Sequence, residues 1–122
     1  MSRVRHRKID CGPFGSFVLL DGELASVIGY LESNEEGEYE SINDGRDGFV
    51  ASTMSGNIYL WVGLDADCTL AISHEALHMA CSLLERIGVE TSLACDACEE
   101  ILATLTGYVS CKIYRQFASW QK

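Results

Sequence analysis

Ile72-Ser73-His74-Glu75-Ala76-Leu77-His78-Met79-Ala80 is the stretch on which the reading of this chain turns. Histidines four apart share one face of a helix, with Cβ atoms about 5–6 Å from each other. Imidazoles so placed converge on one ion at roughly 2.0–2.1 Å, the bond length of zinc. Glu75 is turned about 100° from His74, so it flanks such an ion instead of joining the row. From there it can take a proton from a metal-bound water, which is the chemistry HExxH carries on a helix. The chain has three histidines, and His74 and His78 both fall in the motif. A chance match this strict arises about one time in a hundred or less. A core histidine is the competing explanation for His74, which lies beside Leu70, Leu77 and Leu84. It leaves His78 and Glu75 unexplained.

Outward from the motif, the sequence predicts two helices. The first runs from Cys68 or Thr69 to Ile87, with Asp67 or Thr69 as its cap and Gly88 at the left-handed C-terminal position. Leu70, Leu77 and Leu84, seven apart, are the expected buried stripe. The second helix starts near Asp96, where Glu99 completes a capping-box pattern, and runs to about Phe117. Only Val89 to Cys95 connect them, so the two should pack antiparallel.

The first half reads as strands. Phe14–Leu20 and Leu24–Tyr30 flank Asp21-Gly22, a hairpin signal. Gly48–Met54 and Asn57–Leu64 form a second hairpin across Ser55-Gly56. Ile58, Leu60 and Val62 alternate with Tyr59, Trp61 and Gly63, so both faces of that strand are expected to be covered. Between the hairpins, residues 32–47 read as an acidic loop, and residues 1–9 read as a flexible basic tail. The expected fold is a single α+β domain over 1–122. It consists of a small antiparallel sheet of two hairpins packed on two antiparallel helices that carry the metal site.

A zinc site needs a third protein ligand. Cys81 continues the histidine row but stands seven residues from His74, about 10.5 Å along the helix, which excludes it. Glu85 is excluded for the same reason and reads as an outer acceptor. The second helix offers Glu100, Glu99 and Cys98. Glu100 shares a face with Thr104, Gly107 and Cys111, small residues suited to close helix packing. Glu99 is engaged by the cap, so Glu100 is the favoured ligand and Glu99 and Cys98 stay open. Cys95 and Cys98 form a lone CxxC, compatible with a redox pair, a half-site or two packed thiols.

Composition narrows the function classes. The chain has 122 residues, 48% of them apolar, enough for one ordinary core. No uninterrupted apolar run is long enough to span a membrane. The basic start lacks the apolar segment of a secretory signal, and the six cysteines are irregularly spaced. Both features predict reduced thiols and a cytoplasmic location. The formal net charge is −9, and without Arg3, Arg5, Arg7 and Lys8 the remainder has five bases against 18 acids. Such a body repels nucleic acid and attracts basic partners.

At His74, Glu75 and His78, then Glu99-Glu100-Ile101-Leu102-Ala103-Thr104, then Gly107-Tyr108, the chain resembles zincin-like metallopeptidases with a glutamate third ligand. More narrowly, it resembles short phage and prophage proteins with a β-rich first half, an AHExxH helix and a helix opening with an acidic pair. The resemblance covers about residues 57–114. It implies Zn2+ held by His74, His78 and Glu100, with Glu75 as general base, in a protein of the host cytoplasm. Ser73 stands where that group often has alanine and Thr104 where it often has tyrosine. Tyr108, two turns past Glu100, is the expected substitute for that tyrosine.

Two functions follow as expectations. One is a zinc-dependent hydrolase, a small metallopeptidase acting on peptides, basic ones by preference, laid along Asn57–Leu64 at a sheet edge. A homodimer would supply the far wall of its cleft. The other is a non-catalytic, zinc-stabilised protein that binds or inhibits a host partner or acts in phage assembly.

Overall fold

The computed structural model describes residues 3–37, 39, 47–63, 68–89 and 96–121. Strands β1 (Arg5–Asp10) and β2 (Ser16–Asp21) come first, followed by helix α1 (Leu24–Asn34), strands β3 (Gly48–Ser52) and β4 (Ile58–Val62), and helices α2 (Cys68–Arg86) and α3 (Asp96–Trp120). The α+β class is as expected, but the sheet is mixed. Its order is β1-β2-β4-β3. β1 pairs antiparallel with β2, β2 pairs parallel with β4, and β3 pairs antiparallel with β4.

Two sequence expectations fail in the first half. Residues 5–10 are not a flexible tail but the edge strand β1, with Ile9 buried and Arg5 opposite Asp21. Arg5 donates to Asp21 Oδ2 at 2.9 Å and to the Trp120 carbonyl at 2.8 Å, and its guanidinium lies over the Trp120 ring. These contacts tie the first strand to the last helix. The first hairpin is therefore β1–β2, closed by a 3-10 turn at Gly12–Phe14. Leu24–Tyr30 is not a strand. Leu24, Val27, Ile28 and Leu31 recur at helical spacing, and Val27 and Leu31 are fully buried, so α1 lays that stripe on the sheet. Asp21-Gly22 then turns the chain from strand into helix.

The second hairpin forms where expected. Thr53 N–H donates to the Asn57 carbonyl at 2.9 Å and Gly56 N–H to the Thr53 carbonyl at 3.0 Å, closing the turn. Gly56 has φ of 94°, a conformation that favours glycine. β4 is buried along its whole length, as its sequence predicts. Ile58, Leu60 and Val62 face α2 and α3, while Tyr59 and Trp61 face α1. Two apolar cores thus lie on opposite faces of one sheet, with β4 serving both.

α2 ends at Gly88, whose φ is 81°, and Val89 N–H donates back to the Leu84 carbonyl at 2.9 Å, the closing bond of such a cap. Its buried stripe is not the leucine row. Leu70 is 69% exposed and Leu77 44%, while Ile72, Ala76, Met79, Ala80 and Leu83 are buried. A seven-residue repeat drifts by about 20° per heptad on a straight helix, so Leu84 rotates into the core and Leu70 out of it. Ala76 and Ala80 allow the helix close to the sheet.

α2 packs on β3 and β4, its C-terminal end beside the β3–β4 turn. α3 returns to the opposite end of the sheet, where Trp120 meets Arg5, so the helices are antiparallel. α3 therefore covers the β1–β2 side. The expected caps at Asp67, Thr69 and Asp96 lie outside the described side chains, as do residues 38 and 40–46 of the acidic loop. Among the described residues, no helix is long and apolar enough to cross a membrane.

Candidate metal centre and cleft

His74 and His78 stand on the outer flank of α2, over β3. Their Nε2 atoms are 3.1 Å apart, with the rings tilted edge to face. Two nitrogens bound to one tetrahedral zinc at 2.0–2.1 Å would stand about 3.3 Å from each other. The pair thus fits one zinc ion with a few tenths of an ångström of adjustment. His74 is well exposed, and its Nε2 lies 3.9 Å from Glu75 Oε2.

Glu75 is the one buried charged residue among those described, 7% exposed. Its burial depends on Gly48, the first residue of β3. A Cβ on Gly48 would lie 2.7 Å from Glu75 Cγ and 2.8 Å from the Trp61 carbonyl oxygen. Real side chains do not approach so closely, so only glycine leaves room for the glutamate against the strand. Sequence reasoning passed over Gly48. The available signal was a glycine opening a strand otherwise made of Phe49, Val50 and Ala51, a spacing that marks close approach of another chain segment.

Between α2 and β3 runs an open cleft of about 770 Å3. Asp47, Gly48, Phe49 and Val50 form one wall. Leu70, Ala71, His74, Glu75, His78, Cys81, Ser82 and Glu85 form the other. Cys81 is half-buried, packed against the core and lining the cleft. Burial pushes its thiol up, and the charge of Glu85 adds to that.

Among the described residues, none from α3 lines this cleft. The buried stripe of α3 is Leu102, Leu105, Val109, Ile113 and Phe117. At about 100° per residue, Glu100 points nearly opposite to it. Glu100, Thr104, Gly107 and Cys111 are all exposed, and nothing lies within 4 Å of a Cβ built on Gly107. The expected contact face of α3 is thus its solvent face. Leucine and valine at 102, 105 and 109 bury more apolar area than the small residues at 104, 107 and 111, and that decides the rotation. Cys98, left open as a ligand, lies on the side of the stripe and is half-buried. Tyr108 is 45% exposed, with Lys112 Nζ 5.2 Å above its ring, and stands outside the cleft.

The structure therefore brings His74, Glu75 and His78 together and leaves Glu100, Glu99 and Tyr108 apart from them. Among the described residues, no three of His, Cys, Asp and Glu are arranged to hold a metal. Cys95, and with it the CxxC pair, lies outside the described residues. Cys11 is a buried thiol, pushed up to about 11 by burial, and belongs to the core.

Comparison with family models, with curated proteins and with solved structures returns no match for this chain.

Proposed function

We propose that the protein is a zinc-dependent hydrolase of peptide bonds, with His74 and His78 holding the ion at the mouth of the α2–β3 cleft. The observation that carries this reading is the pair of Nε2 atoms 3.1 Å apart, opening onto a cleft with a buried carboxylate beside them. Zinc bound there would supply Lewis acidity to a water and to a scissile carbonyl. Glu75, held against Gly48, would accept the proton from that water and pass it to the leaving amine. The exposure of His74 supports an open site over the closed four-ligand shell of a structural zinc. The zincin likeness and the phage-type likeness remain part of this proposal.

Two details of the sequence expectation change. Asn57–Leu64 cannot be the edge that takes a substrate strand, because β4 lies between β2 and β3. β3 is the sheet edge beside the histidines. Nor does Glu100 reach the cleft, so it is not carried forward as the third ligand. Asp47, heading the facing wall, is the described carboxylate placed across the cleft from the histidines.

Metal content and cleavage test the proposal together. Purified protein should carry about one zinc per chain and lose it in His74→Ala/His78→Ala. Glu75→Gln should keep the zinc and lose cleavage of an unstructured protein substrate. Full zinc in the double histidine variant would overturn the metal assignment. Undiminished cleavage in Glu75→Gln would overturn the role of the glutamate.

A further inference from the structure

The outer face of α3 carries large apolar side chains that its own chain does not cover. Ile101 is 39% exposed, Tyr108 45% and Tyr114 40%. Thr104, Gly107 and Cys111 stand between them, all exposed. Among the described residues nothing lies within 4 Å of a Cβ placed at Gly107, so no contact within the chain offsets the weakening that a glycine brings to a helix. Thr104, Gly107, Cys111 and Tyr114 recur three and four apart, the spacing of a helix face that meets another helix. Charge is divided along the same face, with Glu100 exposed near its start and Arg115 exposed near its end.

We infer that this face takes a second copy of the chain, with the two α3 helices antiparallel across a two-fold axis between Gly107 and Tyr108. The face is self-complementary about that point. The axis brings Glu100 level with the partner's Arg115, Thr104 level with the partner's Cys111, and Tyr108 against the partner's Tyr108. At about 100° per residue, Thr104 and Cys111 lie within about 10° of the midline of the face, and Glu100 and Arg115 within about 30° of it, so these pairs meet across the seam. Parallel helices would instead set Glu100 on Glu100 and Arg115 on Arg115, like charge on like. Symmetry supplies both ion pairs from one sequence, and that is what makes a second copy the occupant. Two helices meeting over about five turns bury less than about 1,200 Å2, the range of weak complexes. The net charge of −9 on each copy adds long-range repulsion. The pair therefore forms in concentrated solution, and in dilute solution the face is open to solvent. None of these residues lines the α2–β3 cleft, so the pairing stands apart from the zinc reading.

Sedimentation equilibrium, run from about 10 μM to about 1 mM, the span in which so small an interface assembles, should show a monomer passing into a dimer. Glu100→Arg should raise the dissociation constant about tenfold, since two equivalent exposed pairs turn repulsive. Glu100→Arg/Arg115→Glu should restore it to within about threefold, because the reversed charges pair again. Both positions are exposed, and circular dichroism checks that each variant is folded. Cysteine cross-linking reads the register. Thr104→Cys, oxidised with diamide at high concentration, should give a dimer whose disulfide maps to positions 104 and 111 of different copies. Those positions are seven residues apart on one helix, about 10.5 Å, too far for a bond within a chain. For the same reason the two Cys111 residues, also about 10.5 Å apart across the axis, should not link in the unaltered protein. A monomer at every concentration, a dimer indifferent to Glu100→Arg or not restored by the charge reversal, or a Cys111–Cys111 link would each overturn the inference.

Discussion

α2 and α3 are neighbouring amphipathic helices, and each turns one polar flank away from the shared core. On α2 that flank faces a strand: His74 and His78 look across a cleft at Asp47 and Gly48. On α3 it faces solvent: Glu100, Thr104, Gly107 and Cys111 are exposed, and among the described residues no wall stands opposite them. The same residue types thus have different prospects. A carboxylate or imidazole becomes part of a site when a second element closes over it, lowers the local dielectric and restricts its rotamers. Without that wall it remains a solvated side chain.

Ligand substitutions break or sharpen this contrast most strongly. His78→Ala should weaken zinc binding by more than the 10–100-fold that loss of an outer-shell partner costs. Glu100→Ala should leave the affinity unchanged, and a fluorescent zinc competitor measures both. A large loss in Glu100→Ala would mean that α3 does reach the site.

The wall itself comes next. Gly48→Val should destabilise the protein by about 1–3 kcal/mol through overpacking, read as a lower urea midpoint. The added atoms fall on Glu75 and on the Trp61 carbonyl, so Glu75 must leave its place. Glycine here was visible in the sequence only as a strand-opening residue. Its reason for being glycine is the carboxylate of another element, 27 positions away.

A smaller effect concerns how the β3 wall is anchored. Glu35, at the end of α1, accepts hydrogen bonds from Ser55 at 2.6 Å, Asn57 at 2.9 Å and Tyr59 at 2.6 Å. These bonds, that from Asn57 first, hold its carboxyl down at about 2, against an ordinary value of 4.5. A lowered folded-state value means the carboxylate stabilises the fold fully above pH 4.5, and this contribution is lost as pH falls towards 2. Glu35→Gln should flatten the pH dependence of the melting temperature in that window and leave zinc affinity near neutral pH intact.

Gly107→Ala has the smallest expected effect and the opposite sign. The position is exposed, helical and open, so alanine should stabilise the protein by about 0.5–1 kcal/mol. Had Gly107 been the close-packing point between the helices, the same change would destabilise.

Local chemistry made α2, its glycine cap, the β3–β4 hairpin and the doubly covered β4 legible in advance. Each follows from spacing within about twenty residues, where the chain's own geometry decides. Leu24–Tyr30 was ambiguous because a short apolar run fits a strand or a helix. Its burial against Phe49, Tyr59 and Trp61 settled it as α1. β1 was hidden because Arg5, Arg7 and Lys8 mask the signal of an edge strand. Edges tolerate charge on both faces, and edge charges protect against wrong pairing.

By itself, the sequence determined that His74 and His78 would meet, since residues four apart share one helix face, with Glu75 about 100° round on their flank. Which flank of each helix faces the core was left to tertiary packing, because both helices carry apolar residues on more than one row. The rows that bury the most area won: Ile72–Ala76–Met79–Leu83 on α2 and Leu102–Leu105–Val109–Ile113 on α3. That choice turned the histidines towards β3 and turned Glu100 away from them. The sheet order then set β3, and not β4, as the strand that closes the cleft. Pairing between strands far apart in the chain depends on the whole assembled sheet and is written in no single stretch of it.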